Sequence, residues 1–353
     1  MLKSLAPAAS LLLASCASMT EPAATSVDGG VLAAMKQAIE GGAYPQTTSV
    51  LVMTNGKIAH EAYFNGGSPD ALNDTRSATK TIVAMAVGAA MEDGAIKSLD
   101  EAAFDYFADL EPFANDSPLK RQVTLRDLLT MSSALDCDDN NDTPGNEENM
   151  YPLPDWKRFA LDLPAAQEWT RDAEGLGPWR YCTAGAFLLG QIVERAVGER
   201  VDLYIERRIF KPLGIERTQW DESPSGEIQT GGGLELSASD LGKLGAVMAD
   251  GGRFRGRRIL SREWVREMET ARRSAFADMR YGYQMWTRKY ASPCGGVEGW
   301  MMAGNGGNLV LALPERRAAL IVTRTRYNTR GMHQETQELV ERHLLPALGC
   351  GAP

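Results

Sequence analysis

Ser77 and Lys80 stand three residues apart in the stretch Ser77-Ala78-Thr79-Lys80, which opens an apolar, alanine-rich segment. Residues three apart on a helix share one face, so Lys80 is expected to lean over the Ser77 hydroxyl. Acidic residues suit the first turn of a helix better than an ammonium does. A lysine on an apolar helix can instead serve a serine nucleophile as a base or proton shuttle. Alone, however, Ser-x-x-Lys is a short pattern with many chance matches.

Tyr181 is a second candidate, just before a buried-looking helix that Thr183 could cap. A phenol held near a lysine ammonium could accept the serine proton and pass it to a leaving group. The alternative is a packing residue at a helix entrance. The three histidines, His60, His333 and His343, lie far from the serine in sequence, and no G-x-S-x-G or H-E-x-x-H motif occurs. A Ser-His-Asp triad is therefore poorly supported.

A third candidate is the glycine-rich segment in which Gly304, Gly306 and Gly307 surround Asn305, directly before a strand-like run. Backbone without side chains lets a substrate carbonyl approach. Its N–H groups, together with that of Ser77 at a helix N-terminus, could form an oxyanion hole. An ordinary glycine turn between strands is the alternative for this segment taken alone.

The elements that must position these residues predict an α+β fold. A hairpin about Asn55-Gly56 comes early, helical signals dominate 77–275, and short strands and a closing helix follow. This order predicts an antiparallel sheet built from both chain ends (30–76 and 276–353), flanked by helices, with a large all-α domain (77–275) inserted. The two parts would form a single catalytic unit with a cleft at their junction.

The N-terminus predicts export. Residues 1–15 hold one lysine and an apolar run too short to span a bilayer, as in a signal peptide. Their end and Cys16 match a bacterial lipobox, which predicts cleavage before Cys16, lipid on its sulfur and a flexible tether over 16–29. Ala17 in place of aspartate favours the outer membrane, so the predicted location is the periplasm, on a lipid anchor. A plain secretory signal cut nearby is the alternative.

Four further cysteines, Cys137, Cys182, Cys294 and Cys350, permit two disulfides in an oxidising compartment, with three possible pairings. The pairs Cys137–Cys182 and Cys294–Cys350 are favoured, because the first would join two segments expected at the cleft. Buried free thiols remain the alternative.

The charge of the chain restricts its partners. A formal net charge of −9 and a pI near 5.1 offer no large positive field for phosphates, so nucleic acid is not an expected partner. No obligate protein partner is indicated, and the membrane would be contacted only through the lipid.

One acidic loop contains residues that could be interpreted as metal ligands. Counted from Asp136, the residues Asp138, Asn140 and Glu147 fall near the ligand positions of an EF-hand loop. Asn141 stands where that loop requires glycine, and no helix clearly flanks it. A loop that borders the pocket is therefore favoured over a calcium site, and no metal or cofactor is predicted.

Together, Ser77-Ala78-Thr79-Lys80, Tyr181-Cys182-Thr183 and Gly304-Asn305-Gly306-Gly307 resemble the motifs of the serine β-lactamase and penicillin-binding-protein superfamily. The chain looks most like the class C-related branch, with its esterases and 6-aminohexanoate-dimer hydrolases, from about residue 45 to 345. The resemblance implies Ser77 as acylated nucleophile, with Lys80 and Tyr181 as proton-transfer groups. It also implies an oxyanion hole at the N–H groups of Ser77 and Asn305, and Asn140 on the pocket wall.

The motifs depart from the family pattern in two places. Thr183 stands where class C enzymes have Asn, and no Lys or His precedes the glycine motif. That missing cation recognises the carboxylate of penicillins; Arg324 or Arg326 could substitute for it. The resemblance thus implies a hydrolase of small esters or amides. β-Lactamase or D-Ala-D-Ala carboxypeptidase activity, and a non-catalytic envelope binding protein of the same fold, are the alternatives.

Overall fold

The computed structural model describes residues 26–276 and 278–350. The predicted signal peptide, Cys16 and most of the predicted tether therefore lie outside the described residues.

The strands form one large sheet and two small ones. Their bounds are β1 Thr47–Thr54, β2 Lys57–Tyr63, β3 Leu72–Asp74, β4 Gln219–Trp220, β5 Leu234–Ser237, β6 Arg253–Phe254, β7 Arg257–Arg258, β8 Arg273–Phe276, β9 Met279–Tyr281, β10 Trp286–Tyr290, β11 Val297–Gly304, β12 Asn308–Leu313 and β13 Ala318–Arg324. The large sheet has the order β2-β1-β13-β12-β11-β10-β9-β8 with antiparallel neighbours. Strands from the two chain ends meet where β1 pairs with β13, as predicted.

Helices cover both faces of this sheet. Their bounds are α1 Gly29–Glu40, α2 Thr79–Glu92, α3 Leu125–Leu129, α4 Glu147–Met150, α5 Trp156–Asp162, α6 Thr183–Val197, α7 Val201–Ile205, α8 Lys211–Leu213, α9 Ala238–Ala249, α10 Arg262–Glu269, α11 Met332–Leu339 and α12 Leu345–Ala347. Turns of 3-10 helix, including Arg76–Ala78, and of π helix extend several of them.

Alternation along β1 sends side chains into two cores. Val50 and Val52 face the core under α1 and the C-terminal helices, whereas Leu51 and Met53 face the core shared with α2, α6 and α9. All four are buried, so β1 is central to both layers.

The region 77–275 is mainly helical but also contains strands of two to four residues. β5 pairs with β3 on one side and with β4 on the other in a three-stranded sheet, and β6 pairs with β7 in a hairpin. Segments this short show no periodicity that could distinguish them from loops. Helix α9, from the same region, packs on the large sheet; a Cβ on Gly245 would lie 2.7 Å from Val310, so glycine allows this close approach.

The structure joins Cys137 to Cys182 and Cys294 to Cys350, the pairing favoured from the sequence. Among the described residues, no helix combines the length and apolar character needed to cross a bilayer.

Candidate active site

Ser77 and Lys80 lie where the 3-10 turn Arg76–Ala78 runs into α2. The Lys80 side chain is fully enclosed, with only 1% of its surface exposed. Its Nζ donates to Ser77 Oγ at 2.9 Å and to the Gly231 carbonyl oxygen at 2.5 Å. The lysine predicted to lean over the serine therefore contacts its hydroxyl directly.

Tyr181 approaches Ser77 and Lys80 from the irregular segment that leads into α6. Its ring centroid lies 4.9 Å from Lys80 Nζ, and the ring stacks on Trp286 at 5.7 Å with an interplanar angle of 26°. Ser77 and Tyr181 line the same cavity. Serine, lysine and tyrosine thus converge between the sheet and the helical region, although about a hundred residues separate the tyrosine from the other two in sequence.

The cavity measures about 870 Å³ and lies between the ends of β10 and β11, the loop before α4 and the helix α11. Its described lining carries five carboxylates, on Asp139, Glu147, Asp278, Glu338 and Glu341. Of the lining side chains only Arg288 is a guanidinium, and it forms an ion pair with Asp278. The cavity is therefore predominantly acidic.

Asp139 is a site residue that the sequence analysis did not identify. Its backbone N–H donates to the Tyr181 carbonyl oxygen at 2.7 Å, and its Oδ2 accepts the Thr183 N–H at 2.7 Å. Its Oδ1 accepts the Glu147 N–H at 2.9 Å. Asp139 therefore holds the backbone from the Tyr181 carbonyl to the Thr183 N–H and accepts from the first residue of α6. The only sequence signal is its place two residues after Cys137, in a loop where several acidic residues compete.

Burial and, to a lesser degree, the nearby Glu147 carboxylate raise the pKa of the Asp139 carboxyl to about 6, although the Lys80 ammonium and the hydrogen bond from Thr183 act to lower it. A carboxyl group that is buried near Lys80 and Tyr181 thus titrates close to neutral pH. Such a shifted group in a cavity is a common property of functional sites.

Gly304 ends β11 directly against the turn that carries Ser77. A Cβ at this position would overlap the carbonyl oxygen of Thr75, two residues before Ser77. The next residue, Asn305, lines the cavity, and its side chain is tied to Asn328 by two hydrogen bonds of 2.6 and 2.8 Å. The absence of a side chain at 304 therefore lets the Asn305 backbone approach the serine.

Gly304→Ala is expected to push β11 away from Ser77 and to lower kcat/KM about 10²-fold, because displacements near 1 Å at a reacting centre cost that much. Gly232→Ala is the matched control, since a Cβ there would lie 3.7 Å or more from Arg76 and Ser77, an ordinary contact. Kinetics with a chromogenic ester and thermal melting of both variants test this. Equal activity of the two variants would contradict a tight approach at 304.

The remaining predicted site residues are divided between the cavity and the layer behind it. Asn140 lines the cavity, where its side chain donates to Asp138 at 3.1 Å. Thr183 is fully buried in the first turn of α6, and Gly306 lies beside the ring of Tyr327; neither is among the lining residues. The structure therefore does not bring Thr183 or Gly306 to the wall of the cavity.

Arg324 and Arg326 do not supply the missing cation. The guanidinium of Arg324 is buried, donates to Met332 and Pro45 carbonyl oxygens, and forms an ion pair with Glu335 at 2.5 Å. Arg326 pairs with the same carboxylate at 2.9 Å. Both arginines therefore join α11 to the sheet, and neither lines the cavity.

The polar side chains of the acidic loop form hydrogen bonds within the loop. Both carboxylate oxygens of Asp138 accept hydrogen bonds, from Asn140 and Asn141 at 3.1 and 2.7 Å. Within residues 26–276 and 278–350, no three His, Cys, Asp or Glu side chains are grouped as metal ligands would be. The loop forms one border of the cavity through Asp139, Asn140 and Glu147.

The chain is similar in sequence to known proteins over the region that contains these motifs. A family model described as Beta-lactamase matches residues 31–344. The chain is 27% identical over 260 residues to 6-aminohexanoate-dimer hydrolase from Paenarthrobacter ureafaciens, a match covering 68% of this chain and 64% of that protein. It is 30% identical over 199 residues to lovastatin esterase from Penicillium rubens, covering 52% and 49%. Both matches span less than two thirds of the relative's own length.

The fold is also shared with solved structures. The octameric penicillin-binding protein homologue from Pyrococcus abyssi superposes with a TM-score of 0.68 at 20% identity, over 89% of this chain and 76% of that chain. The predicted α+β fold, an antiparallel sheet flanked by helices, is confirmed, whereas the inserted region 77–275, predicted to be all-α, also contains the short strands β4 to β7. Because the family model spans most of its length, the chain belongs to the beta-lactamase family.

Proposed function

We propose that the protein is an exported, lipid-anchored serine hydrolase that cleaves an ester or amide through an acyl-enzyme on Ser77. The 2.9 Å hydrogen bond from the buried Lys80 ammonium to Ser77 Oγ, with the Tyr181 ring beside it, carries this proposal. Its relatives are named 6-aminohexanoate-dimer hydrolase and lovastatin esterase, and these names support a hydrolytic activity. Export and anchoring depend on residues 1–16.

In the proposed reaction, Ser77 Oγ attacks the substrate carbonyl carbon while its proton passes to the Lys80–Tyr181 pair. The N–H groups of Ser77 and Asn305 receive the negative charge on the carbonyl oxygen. Tyr181 then delivers the proton to the leaving alcohol or amine, and the acyl-enzyme remains. Water attacks the acyl carbon in the second half, and its proton returns through the same pair to restore the Ser77 hydroxyl.

The acidic cavity favours substrates without a carboxylate. A substrate anion would face the carboxylates on Glu147, Glu338 and Glu341 with no unpaired guanidinium among the described lining residues to offset them. Like charges at short range disfavour binding. We therefore place small esters and linear amides ahead of penicillins, cephalosporins and D-Ala-D-Ala peptides.

A substrate panel tests this order. A nitrophenyl ester is expected to give a kcat/KM at least about tenfold above those of a chromogenic cephalosporin and a D-Ala-D-Ala peptide. Among matched nitrophenyl esters of equal chain length, one ending in ammonium should exceed one ending in carboxylate, and the difference should shrink at high salt. A dominant cephalosporin rate, or a preference for the carboxylate ester, would reverse the proposed order.

A pH profile tests the part that Asp139 plays. As pH falls through about 6, Asp139 takes up a proton and loses charge beside Lys80, and its oxygens become weaker acceptors for the Thr183 and Glu147 N–H groups. We expect kcat/KM for a neutral ester to fall there with an apparent pKa near 6. Asp139→Asn should remove this inflection and lower the plateau about tenfold. An unchanged inflection in the variant would assign it to another group.

The non-catalytic alternative is disfavoured by the same geometry. An envelope binding protein gains nothing from a buried ammonium that is directed at a serine hydroxyl, because burying the charge costs free energy. Mass spectrometry after incubation with a serine-directed probe separates the two. An adduct on Ser77 is expected from the hydrolase, and its absence under all conditions would favour the binding protein.

A further inference from the structure

An arginine-rich segment contrasts with the acidic chain around it. Residues 250–262 contain five arginines and one acidic residue, whereas the whole chain has a net charge of −9. Strands β6 and β7 fold this segment into a hairpin with Arg255 and Gly256 at the turn. Its positive charge is therefore concentrated on one small projection.

Four guanidiniums of this hairpin are exposed, on Arg253, Arg255, Arg257 and Arg258. Each donates to a backbone carbonyl oxygen: those of Gly256, Gly56, Pro212 and Gly251, at 2.8, 3.2, 3.4 and 2.6 Å respectively. Within residues 26–276 and 278–350, none of the four forms an ion pair with a carboxylate. Carbonyl oxygens orient the arginines and leave their net charge in place, so the hairpin is a cationic surface. We call these four residues the arginine hairpin.

The beginning of the described chain lies at the same end of the molecule as the arginine hairpin. The N–H of Asp28 donates to the Ala347 carbonyl oxygen at 2.9 Å, next to Gly349, whose carbonyl oxygen accepts from Arg316. The following residue, Arg317, accepts the Asn55 N–H at 2.9 Å. Arg255 contacts the neighbouring Gly56. A short series of contacts thus links the chain start to the hairpin.

The cavity lies at the other end of the sheet. Thr47, at the start of β1, pairs with Arg324, and Gly304 pairs with Asn308 at this same edge, beside Ser77. Thr54, at the far end of β1, adjoins the turn that touches the hairpin. An eight-residue strand spans about 26 Å. The cationic surface and the nucleophile are therefore separated by roughly the length of β1.

We propose that the arginine hairpin binds the headgroups of an anionic phospholipid bilayer and thereby holds the protein with its cavity directed away from the membrane. The proposal rests on the proposed lipid anchor for its setting, because Asp28, close to the first described residue, lies at the end that carries the hairpin. Basic residues near an anionic bilayer each change affinity about fivefold, so four of them form an effective second contact.

Vesicle binding tests the hairpin without the lipid anchor. In the full chain carrying Cys16→Ser, Arg253, Arg255, Arg257 and Arg258 are replaced together by Gln. The matched control replaces four exposed arginines elsewhere, Arg217, Arg280, Arg330 and Arg342, so that the net charge changes equally. Flotation with phosphatidylcholine vesicles, with and without phosphatidylglycerol, is measured at low and high salt.

We expect the parent chain to prefer phosphatidylglycerol vesicles at low salt and to lose this preference at high salt. The hairpin variant should lose at least about tenfold in affinity, and the control variant less than about twofold. Equal losses in both variants, or no dependence on phosphatidylglycerol, would overturn the proposal. Tighter binding to duplex DNA than to vesicles would overturn it as well.

The result can be separated from the enzymatic proposal. Ester hydrolysis by the hairpin variant should stay within about twofold of the parent, because the hairpin lies far from Ser77. Vesicle binding by Ser77→Ala should equal that of the parent. If the parent chain binds vesicles but does not hydrolyse esters, only the proposed function is contradicted. If the hairpin variant hydrolyses esters and binds vesicles as the parent does, only the proposed membrane contact is contradicted.

Discussion

Ser77→Ala is expected to lower kcat/KM by a factor on the order of 10⁴ or more and to abolish labelling by a fluorophosphonate. The variant removes the oxygen on which we propose that the acyl bond forms, and it leaves Lys80 with its other acceptor, the Gly231 carbonyl oxygen. The fold should persist, because the substitution removes a single atom at the cavity wall. Initial rates with the preferred ester and intact-mass analysis after probe treatment measure both effects.

Ser98→Ala is the control for this experiment, since Ser98 lies outside the lining residues and its hydroxyl accepts only a local N–H from Asp100. That variant should retain full labelling and turnover. Hydrolysis by Ser77→Ala above about a hundredth of the parent rate would mean that another group forms the acyl bond.

Tyr181→Phe is expected to lower kcat/KM for an alkyl ester or an amide on the order of 10³-fold. The ring would still stack on Trp286 and face Lys80, so the change removes the phenolic oxygen and little else. A nitrophenyl ester, whose leaving group needs no proton, should lose much less. The comparison of kcat/KM for the two kinds of ester thus isolates proton delivery from packing.

Tyr281→Phe provides the matched control on the same aromatic cluster. Tyr281 is buried against Trp286, and its hydroxyl donates to Gln284 at 3.2 Å. Its loss should cost less than about tenfold with either ester. Equal losses for alkyl and nitrophenyl esters in Tyr181→Phe would assign the tyrosine a packing role instead.

The Ser77–Lys80 contact follows from local geometry and could be predicted from the sequence. Helical spacing fixes which side chains share a face, and three residues suffice to place the ammonium on the hydroxyl. Tyr181 and Asn305 needed the family resemblance for their roles, because Tyr181 approaches Ser77 through the packing of α6 on α2 and Asn305 through the contact of β11 with the turn of Ser77. No periodicity within a single segment reports such distant contacts.

The roles of Asp139 and Arg324 could not be predicted from the sequence. Asp139 acts through its own N–H and through carboxylate oxygens that accept main-chain N–H groups, so its role depends on a loop conformation that the residue type alone does not predict. Arg324, considered as a cation for substrate, is instead buried between β13 and α11. A strand-end arginine can face solvent or interior equally well, and only the packing of the last helix decides between them.

The disulfide Cys137–Cys182 joins the loop that carries Asp139 to the residue that follows Tyr181. In a reducing cytosol hydrogen bonds and packing would hold these two segments together without the covalent link. If the protein is exported as proposed, the tyrosine gains its covalent support after translocation, when the thiols oxidise. Under the same proposal, Tyr181 of newly made protein would be less firmly held inside the cell than at the destination of the protein, where the disulfide adds covalent support.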